Sequence, residues 1–167
     1  PSTAGRVSPP VYTPCAGGWL LDGLNQIVDY AADHDVAVAL EPEPGHIVAK
    51  LDDFALVRDT LKQMTDAPLK LALDTGHVMM SGDRAPHQAV KEVSGILGSV
   101  ALADMASGVH AHRPLGEGDI DLPAALSALR GTDYEGLISV KLPRDSYRAD
   151  TLIPRSIDWL FEHLPSD

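Results

Sequence analysis

Four short apolar runs, each closed by a charged residue, alternate with helical segments along this chain. The runs are 36–41, 69–74, 99–104 and 136–141, and they end on Glu41, Asp74, Asp104 and Lys141. Apolar runs without polar alternation are typical of strands covered on both faces, as in a parallel sheet. Because strand and helix alternate throughout, the sequence predicts an α/β fold of parallel strands joined by right-handed crossovers.

Helices are predicted between these runs from apolar residues spaced three and four positions apart. The expected helices start near Trp19 and near Asp52 or Asp53, and later ones span 85–97, 122–129 and 150–164. Residues 1–17, which are rich in Pro and Gly, are expected to be irregular. We expect residues 1–167 to form a single domain, one that is only part of a larger barrel.

Composition excludes several classes of partner. A formal net charge of −11 argues against nucleic acid and anionic membrane surfaces, which need clustered Lys and Arg. The longest apolar stretches are five or six residues, whereas a membrane span needs roughly 20. No secretory signal pattern is found. The single Cys15 cannot form an internal disulfide, so we expect a reducing, cytoplasmic setting and no nucleophilic role for this thiol.

The four charged strand ends predict a functional site. In parallel α/β folds the carboxyl ends of the strands carry the active site, so polar groups at four such ends would meet in a small volume. The alternative is that a charged residue simply ends each strand. A complete (β/α)₈ barrel needs about 250 residues, and four strands leave two edges open. We expect a missing N-terminal half-barrel; two joined copies or an open sheet are the alternatives.

Three motifs carry a family resemblance. They are the segments 40–45 (LEPEPG), 73–77 (LDTGH) and 114–121 (PLGEGDID). From about Trp19 to the end, their order and spacing resemble the second half of the xylose isomerase-like TIM-barrel family of sugar isomerases, epimerases and AP endonucleases. The resemblance implies the C-terminal half of a (β/α)₈ barrel.

The same resemblance implies a divalent cation, Mn²⁺, Mg²⁺, Co²⁺ or Zn²⁺, held at four successive strand ends. Glu41 and Asp74 match the first two ligands, and His77 matches the family histidine that contacts a substrate oxygen. The third and fourth ligand positions fall on Ala101 and Lys141, which depart from the family pattern. Alanine cannot bind a metal, and lysine brings a positive charge.

The loop before the third motif contributes further candidates. His110, His112 and Arg113 are candidates for binding a metal or a substrate carboxylate, although they could equally be solvated loop residues. Glu43 is a weaker candidate ligand, since strand alternation would point it away from Glu41. Gly116 and Gly118 are expected to serve the loop backbone. His46 is expected to be an ordinary surface histidine.

These observations favour a sugar or keto-acid isomerase or epimerase that transfers a proton through a metal-stabilised enediolate. Glu41 is the candidate base. Lys141 is the candidate opposing acid/base if its pKa is lowered, or a Schiff-base former. The alternative is a catalytically impaired or repurposed family member, such as a binding or accessory protein, because of Ala101 and Lys141. Phosphodiester hydrolysis is disfavoured by the −11 charge and the few ligands.

Overall fold

The computed structural model describes residues 13–82 and 84–164. Its helices are α1 (Thr13–Ala32), α2 (Leu51–Leu61), α3 (Thr75–Ser81), α4 (Pro86–Val93), α5 (Leu122–Arg130) and α6 (Ala149–His163). Its strands are β1 (Val38–Leu40), β2 (Leu69–Asp74), β3 (Leu97–Leu102), β4 (Asp104–Met105), β5 (His112–Arg113) and β6 (Ile138–Val140). Helix α1 includes residues 13–17, where irregular chain was expected; residues 1–12 lie outside the described ranges.

The main sheet has the order β1-β2-β3-β6, and all of its strand pairs are parallel. The predicted α/β class and parallel sheet are therefore confirmed. Within the described ranges, β1 and β6 are the two edges of this sheet. The carboxyl ends of its four strands lie on one side, which is the side on which the charged strand ends were expected to meet.

The two faces of the sheet differ in burial. Leu71 and Leu73 in β2, and Val100 and Leu102 in β3, are at most 1% exposed and pack in the helix-covered core. Their neighbours on the opposite face, such as Lys70 and Ala72, are only half-buried. The strands were expected to be covered on both faces, but in this chain only one face is fully covered. The half-covered face carries Asp74, so it is the face that bears the functional groups.

Two local features depart from the sequence-based expectation. Strand β3 ends at Leu102, and Asp104 starts β4, which pairs antiparallel with β5. The chain turns here because the Thr75 hydroxyl accepts from Ala103 N at 2.9 Å and donates to Ala103 O at 2.8 Å. Helix α3, which the sequence analysis did not predict, begins directly after Asp74, whose Oδ1 accepts the His77 backbone N–H at 3.0 Å.

No helix in the described ranges combines the length and the apolar character needed to cross a membrane.

Candidate active site

The candidate site lies at the carboxyl ends of the parallel strands. Glu41 directly follows β1, Asp74 closes β2, and Lys141 directly follows β6. His77 comes from the first turn of α3, and His112 comes from β5 in the loop that returns over the strands. The topology therefore brings together five of the residues that the sequence singled out.

A Lys141 ammonium group joins the two carboxylates of this cluster. Lys141 Nζ donates to Glu41 Oε1 and lies 3.1 Å from Asp74 Oδ2. His77 Nδ1 is 3.0 Å from Glu41 Oε1 and 3.2 Å from the Pro42 carbonyl oxygen. Since both of these neighbours are acceptors only, Nδ1 carries the proton and Nε2 is the atom of a neutral His77 ring that can bind a ligand.

Asp74 is the deepest of the charged groups, with a fully buried side chain. Its Oδ1 caps α3, and its Oδ2 lies 3.3 Å from His112 Nε2. Burial alone would raise the pKa of Asp74, but the hydrogen bond with His112 and the charges of His77 and Lys141 outweigh it and hold the pKa well below its usual range. The pKa of Glu41 is lowered in the same way: burial opposes the change, and the hydrogen bonds from His77 and Lys141 prevail. Both carboxylates are therefore ionised.

The basic groups of the cluster are shifted by the same charges. Burial would lower the pKa of Lys141, but the hydrogen bond to Glu41 and the charge of Asp74 raise it instead. The pKa of His77 is likewise raised, because its hydrogen bond to Glu41 and the charge of Asp74 outweigh burial. At His110, burial and the neighbouring His77 lower the pKa. An acid/base role for Lys141 was expected only with a lowered pKa; the surroundings raise the pKa, so Lys141 is a charged donor here.

Two groups of side chains are spaced closely enough to hold a cation. In the first, Asp74, His77 and His112 each offer a ligand atom within 4.8 Å of the others; in the second, Glu43, His77 and His110 do so. The rings of His77 and His110 lie 5.2 Å apart, edge to face. A mixed carboxylate and imidazole set suits Zn²⁺, Co²⁺ or Mn²⁺. Glu41 belongs to neither group, and its Oε1 contacts Lys141 and His77.

Residues 4–163 match the xylose isomerase-like TIM barrel family. The chain belongs to this family. Inosose dehydratase of Geobacillus thermodenitrificans (strain NG80-2) is 27% identical over 154 residues, which cover 81% of this chain and 50% of that protein. The chain thus spans about half the length of this relative.

Solved structures agree on the fold. The IolI protein with a bound zinc atom superposes with a TM-score of 0.73 at 21% identity, covering 97% of this chain and 62% of that one. The 3-keto-D-glucoside 4-epimerase YcjR of E. coli gives a TM-score of 0.71 at 23% identity, covering 93% of this chain and 57% of that one. The described strands and helices are therefore the C-terminal half of a xylose isomerase-like TIM barrel, as the motifs implied.

Two positions at which the family resemblance led us to expect metal ligands carry Ala101 and Lys141. Ala101, at the expected third ligand position, pairs with Asp74 in the sheet register and offers no ligand atom to the pocket. Lys141, at the expected fourth position, places an ammonium between the two carboxylates. Each of the two candidate cation groups contains His77 from α3 and one further histidine, His110 or His112.

Two of the charged residues singled out by the sequence lie away from the cluster. Arg113 is exposed, and its Nη1 donates to the Glu117 carbonyl oxygen at 3.2 Å, because alternation along β5 turns it away from the face that carries His112. Asp104 was expected among the converging strand ends, and the structure contradicts this. It is fully buried beneath the loop, since the chain has left β3 before reaching it.

Asp104 instead holds the loop of residues 114–121, which contains Gly116 and Gly118, in place. Its two oxygens accept the backbone N–H groups of Met105, Gly116, Gly118 and Ile120. A Cβ at Gly118 would lie 2.1 Å from Asp104 Oδ1, so only glycine fits there. Gly116 adopts φ +82°, which favours glycine. The loop roles expected for both glycines are explained, one by steric contact and the other by backbone conformation.

Glu43 and His46 lie beside the pocket, closer to it than the sequence indicated. Glu43, expected to be only a weaker candidate ligand, belongs to a candidate cation group with His77 and His110, and regular strand alternation stops at Leu40. His46 was expected at the surface, yet its side chain is 12% exposed and lies 3.6 Å from Glu43. The signal available was the Gly45 turn, whose φ of +88° folds the chain back.

Proposed function

We propose that this chain supplies half of the active site of a sugar or keto-acid isomerase or epimerase. The observation that carries the proposal is the ionised Glu41 carboxylate at the strand ends, held by His77 and Lys141. Relatives named inosose dehydratase, 3-keto-D-glucoside 4-epimerase and L-ribulose 3-epimerase support a sugar-like substrate. Dehydration and epimerisation beside a carbonyl both begin with removal of a proton from the neighbouring carbon.

Glu41 is the proposed base. Both of its partners contact Oε1, which leaves Oε2 to take a proton from substrate carbon. The lowered pKa keeps the carboxylate ionised, and moving the Lys141 ammonium off Oε1 would raise its basicity. Glu41 would then carry the abstracted proton and return it to the substrate, while the protonated Lys141 would donate a hydrogen bond to a substrate oxygen.

Asp74, His77 and His112 are the residues proposed to hold a divalent cation, with Glu43 and His110 beside them. The donor set fits: Asp74 Oδ2 is a buried carboxylate oxygen, and the imidazoles lie within reach. A bound cation would polarise the substrate carbonyl and stabilise the negative charge of an enediolate. His110 and His112 would also face the substrate, whereas a substrate role for Arg113 requires it to leave the Glu117 carbonyl.

A complete substrate pocket requires four further strands. We propose that they come either from an N-terminal half-barrel of the same polypeptide or from a second copy of this chain. The β6 edge supports this: Leu137 is 73% and Ile138 41% exposed, and a 280 Å³ apolar groove between this edge and α6 includes Val140 and Ile157. Light scattering of the purified chain would distinguish the two sources, since a second copy doubles the mass.

The test is exchange of substrate hydrogen with solvent. We would incubate the protein with ketoses, inososes and keto acids in D₂O, with Zn²⁺, Co²⁺ or Mn²⁺, and follow deuterium at the carbon beside the carbonyl by NMR. The expected result is exchange that Glu41→Gln abolishes and Glu135→Gln, an exposed carboxylate away from the cluster, leaves intact. Absence of exchange with every substrate and metal, in a sample whose barrel is complete, would overturn the proposal in favour of a binding or accessory role.

A further inference from the structure

The Lys141 ammonium lies between the carboxylates of Glu41 and Asp74. Its Nζ contacts Glu41 Oε1 and lies 3.1 Å from Asp74 Oδ2. Asp74 is fully buried at its side chain, and Glu41 is 29% exposed. The single positive charge of Lys141 therefore already neutralises part of the negative charge of these two carboxylates.

This placement changes which ligand atoms remain for a metal. Lys141 Nζ lies between Glu41 Oε1 and Asp74 Oδ2, so the two carboxylates cannot close on one ion while Nζ stays between them. Asp74 Oδ2 also faces His112 on the other side, at 3.3 Å. The ligands left around that oxygen are imidazoles. Imidazole suits Zn²⁺ and Co²⁺, whereas sites built from oxygen atoms alone suit Mg²⁺ and Mn²⁺.

We propose that Lys141 sets the cation selectivity of this site, by holding Glu41 away from the metal and leaving an imidazole-rich set around Asp74. The inference rests on the cation site of the proposed function. Lys141 is 31% exposed and follows an edge strand, so its flexible stem can move off Asp74 when an ion binds while Nζ keeps its contact with Glu41. Removing the lysine would free Glu41 as a second carboxylate ligand.

The experiment compares Zn²⁺ and Mn²⁺ affinity in the metal-stripped protein, without substrate. Calorimetric titration would be run on the parent protein, Lys141→Met and Lys141→Gln, with Lys91→Met as a control that removes an equal charge from an exposed position on α4. We expect both Lys141 variants to bind Mn²⁺ at least tenfold more tightly and to lose at least threefold of their Zn²⁺ over Mn²⁺ preference. Lys91→Met should match the parent.

The ratio of Zn²⁺ to Mn²⁺ affinity separates selectivity from simple charge removal. Both ions are divalent, so removing the lysine charge relieves the same repulsion for each. Equal gains for Zn²⁺ and Mn²⁺ would overturn the proposal, and so would Mn²⁺ affinity that changes less than tenfold or an absence of binding in all proteins. Asp74→Asn should abolish binding in either background. A protein that shows the expected ratio but no hydrogen exchange would retain this inference while losing the proposed isomerase activity.

Discussion

Lys141 and Glu41 are 100 residues apart and follow the two opposite edge strands of the sheet, yet their side chains form an ion pair. In a flat four-stranded sheet the edge strands β1 and β6 would be about 14 Å apart. The contact is possible because the sheet curves, bringing the carboxyl ends of its edges toward each other. The curvature of a barrel wall is thus already present in half of the strands.

The coupling between Lys141 and Glu41 should be measurable. A double-mutant cycle with Lys141→Met and Glu41→Gln should give a coupling of about 1 kcal/mol in urea unfolding, since both side chains are about one-third exposed and the pair is only partly screened. The solvent-exposed pair Lys62–Asp59 serves as the control and should show no measurable coupling. Equal coupling in the two cycles would contradict the special position of the Lys141 pair.

Asp104→Asn should destabilise the protein by about 2–4 kcal/mol. The amide would turn an N–H₂ group toward backbone N–H donors that need an acceptor. Asp121→Asn is the matched control, because Asn caps a helix about as well as Asp and should be nearly neutral at the start of α5. Chemical denaturation checks both, and faster hydrogen exchange at Gly116 and Gly118 in the Asp104 variant would locate the effect.

Gly118→Ala should cost more than about 2 kcal/mol, because overpacking against fixed atoms strains the backbone. The new methyl would meet Asp104 Oδ1 at 2.1 Å and the Met105 carbonyl oxygen at 2.6 Å. Gly23→Ala in α1 should instead stabilise by about 0.5–1 kcal/mol, since a Cβ there meets nothing within 4 Å. In thermal unfolding, the midpoint temperature should fall for Gly118→Ala and rise for Gly23→Ala. An unchanged midpoint for Gly118→Ala would refute the steric role of this glycine.

The pH dependence of the metal-free protein follows from the shifted groups. The raised pKa of His77 adds stability that is full below the ordinary value of 6.5 and is lost as pH rises through the folded pKa. The lowered pKa values of Asp74 and Glu41 add stability that is full above their ordinary values of 3.8 and 4.5 and is lost as pH falls.

Stability from this cluster should therefore be greatest between about pH 4.5 and 6.5. Urea unfolding in chelator across pH 3–9 measures it. His77→Gln should flatten the fall on the alkaline side and leave the acid side in place. Imidazole NMR should show His77 titrating above free histidine and His110 below it. The reverse order would contradict the charge arrangement described for the cluster.

The strand positions were predictable because short apolar runs that end on a charged residue are typical of buried parallel strands. Glu41, Asp74 and Lys141 stand at the strand ends as expected. The fate of Asp104 was not predictable, since hydrogen bonds from Thr75, which is distant in sequence, turn the chain at Ala103. The ion pair of Lys141 with Glu41 also depends on sheet curvature, which strand patterns do not encode.

The hydrogen bonds that Asp104 makes to one end of the loop 106–120 bear on how this loop can change in sequence between related proteins. Asp104 accepts hydrogen bonds from the backbone N–H groups of Gly116, Gly118 and Ile120, which fixes the turn at 116–120. Residues 108–111 instead make local hydrogen bonds, such as Ala111 N to Val109 O. Changes of sequence or length in 108–111 would reshape the rim above the pocket without loosening the turn beneath it. New substrate preferences could therefore be installed by exchanging this short segment alone, with the strands and their charged ends left untouched.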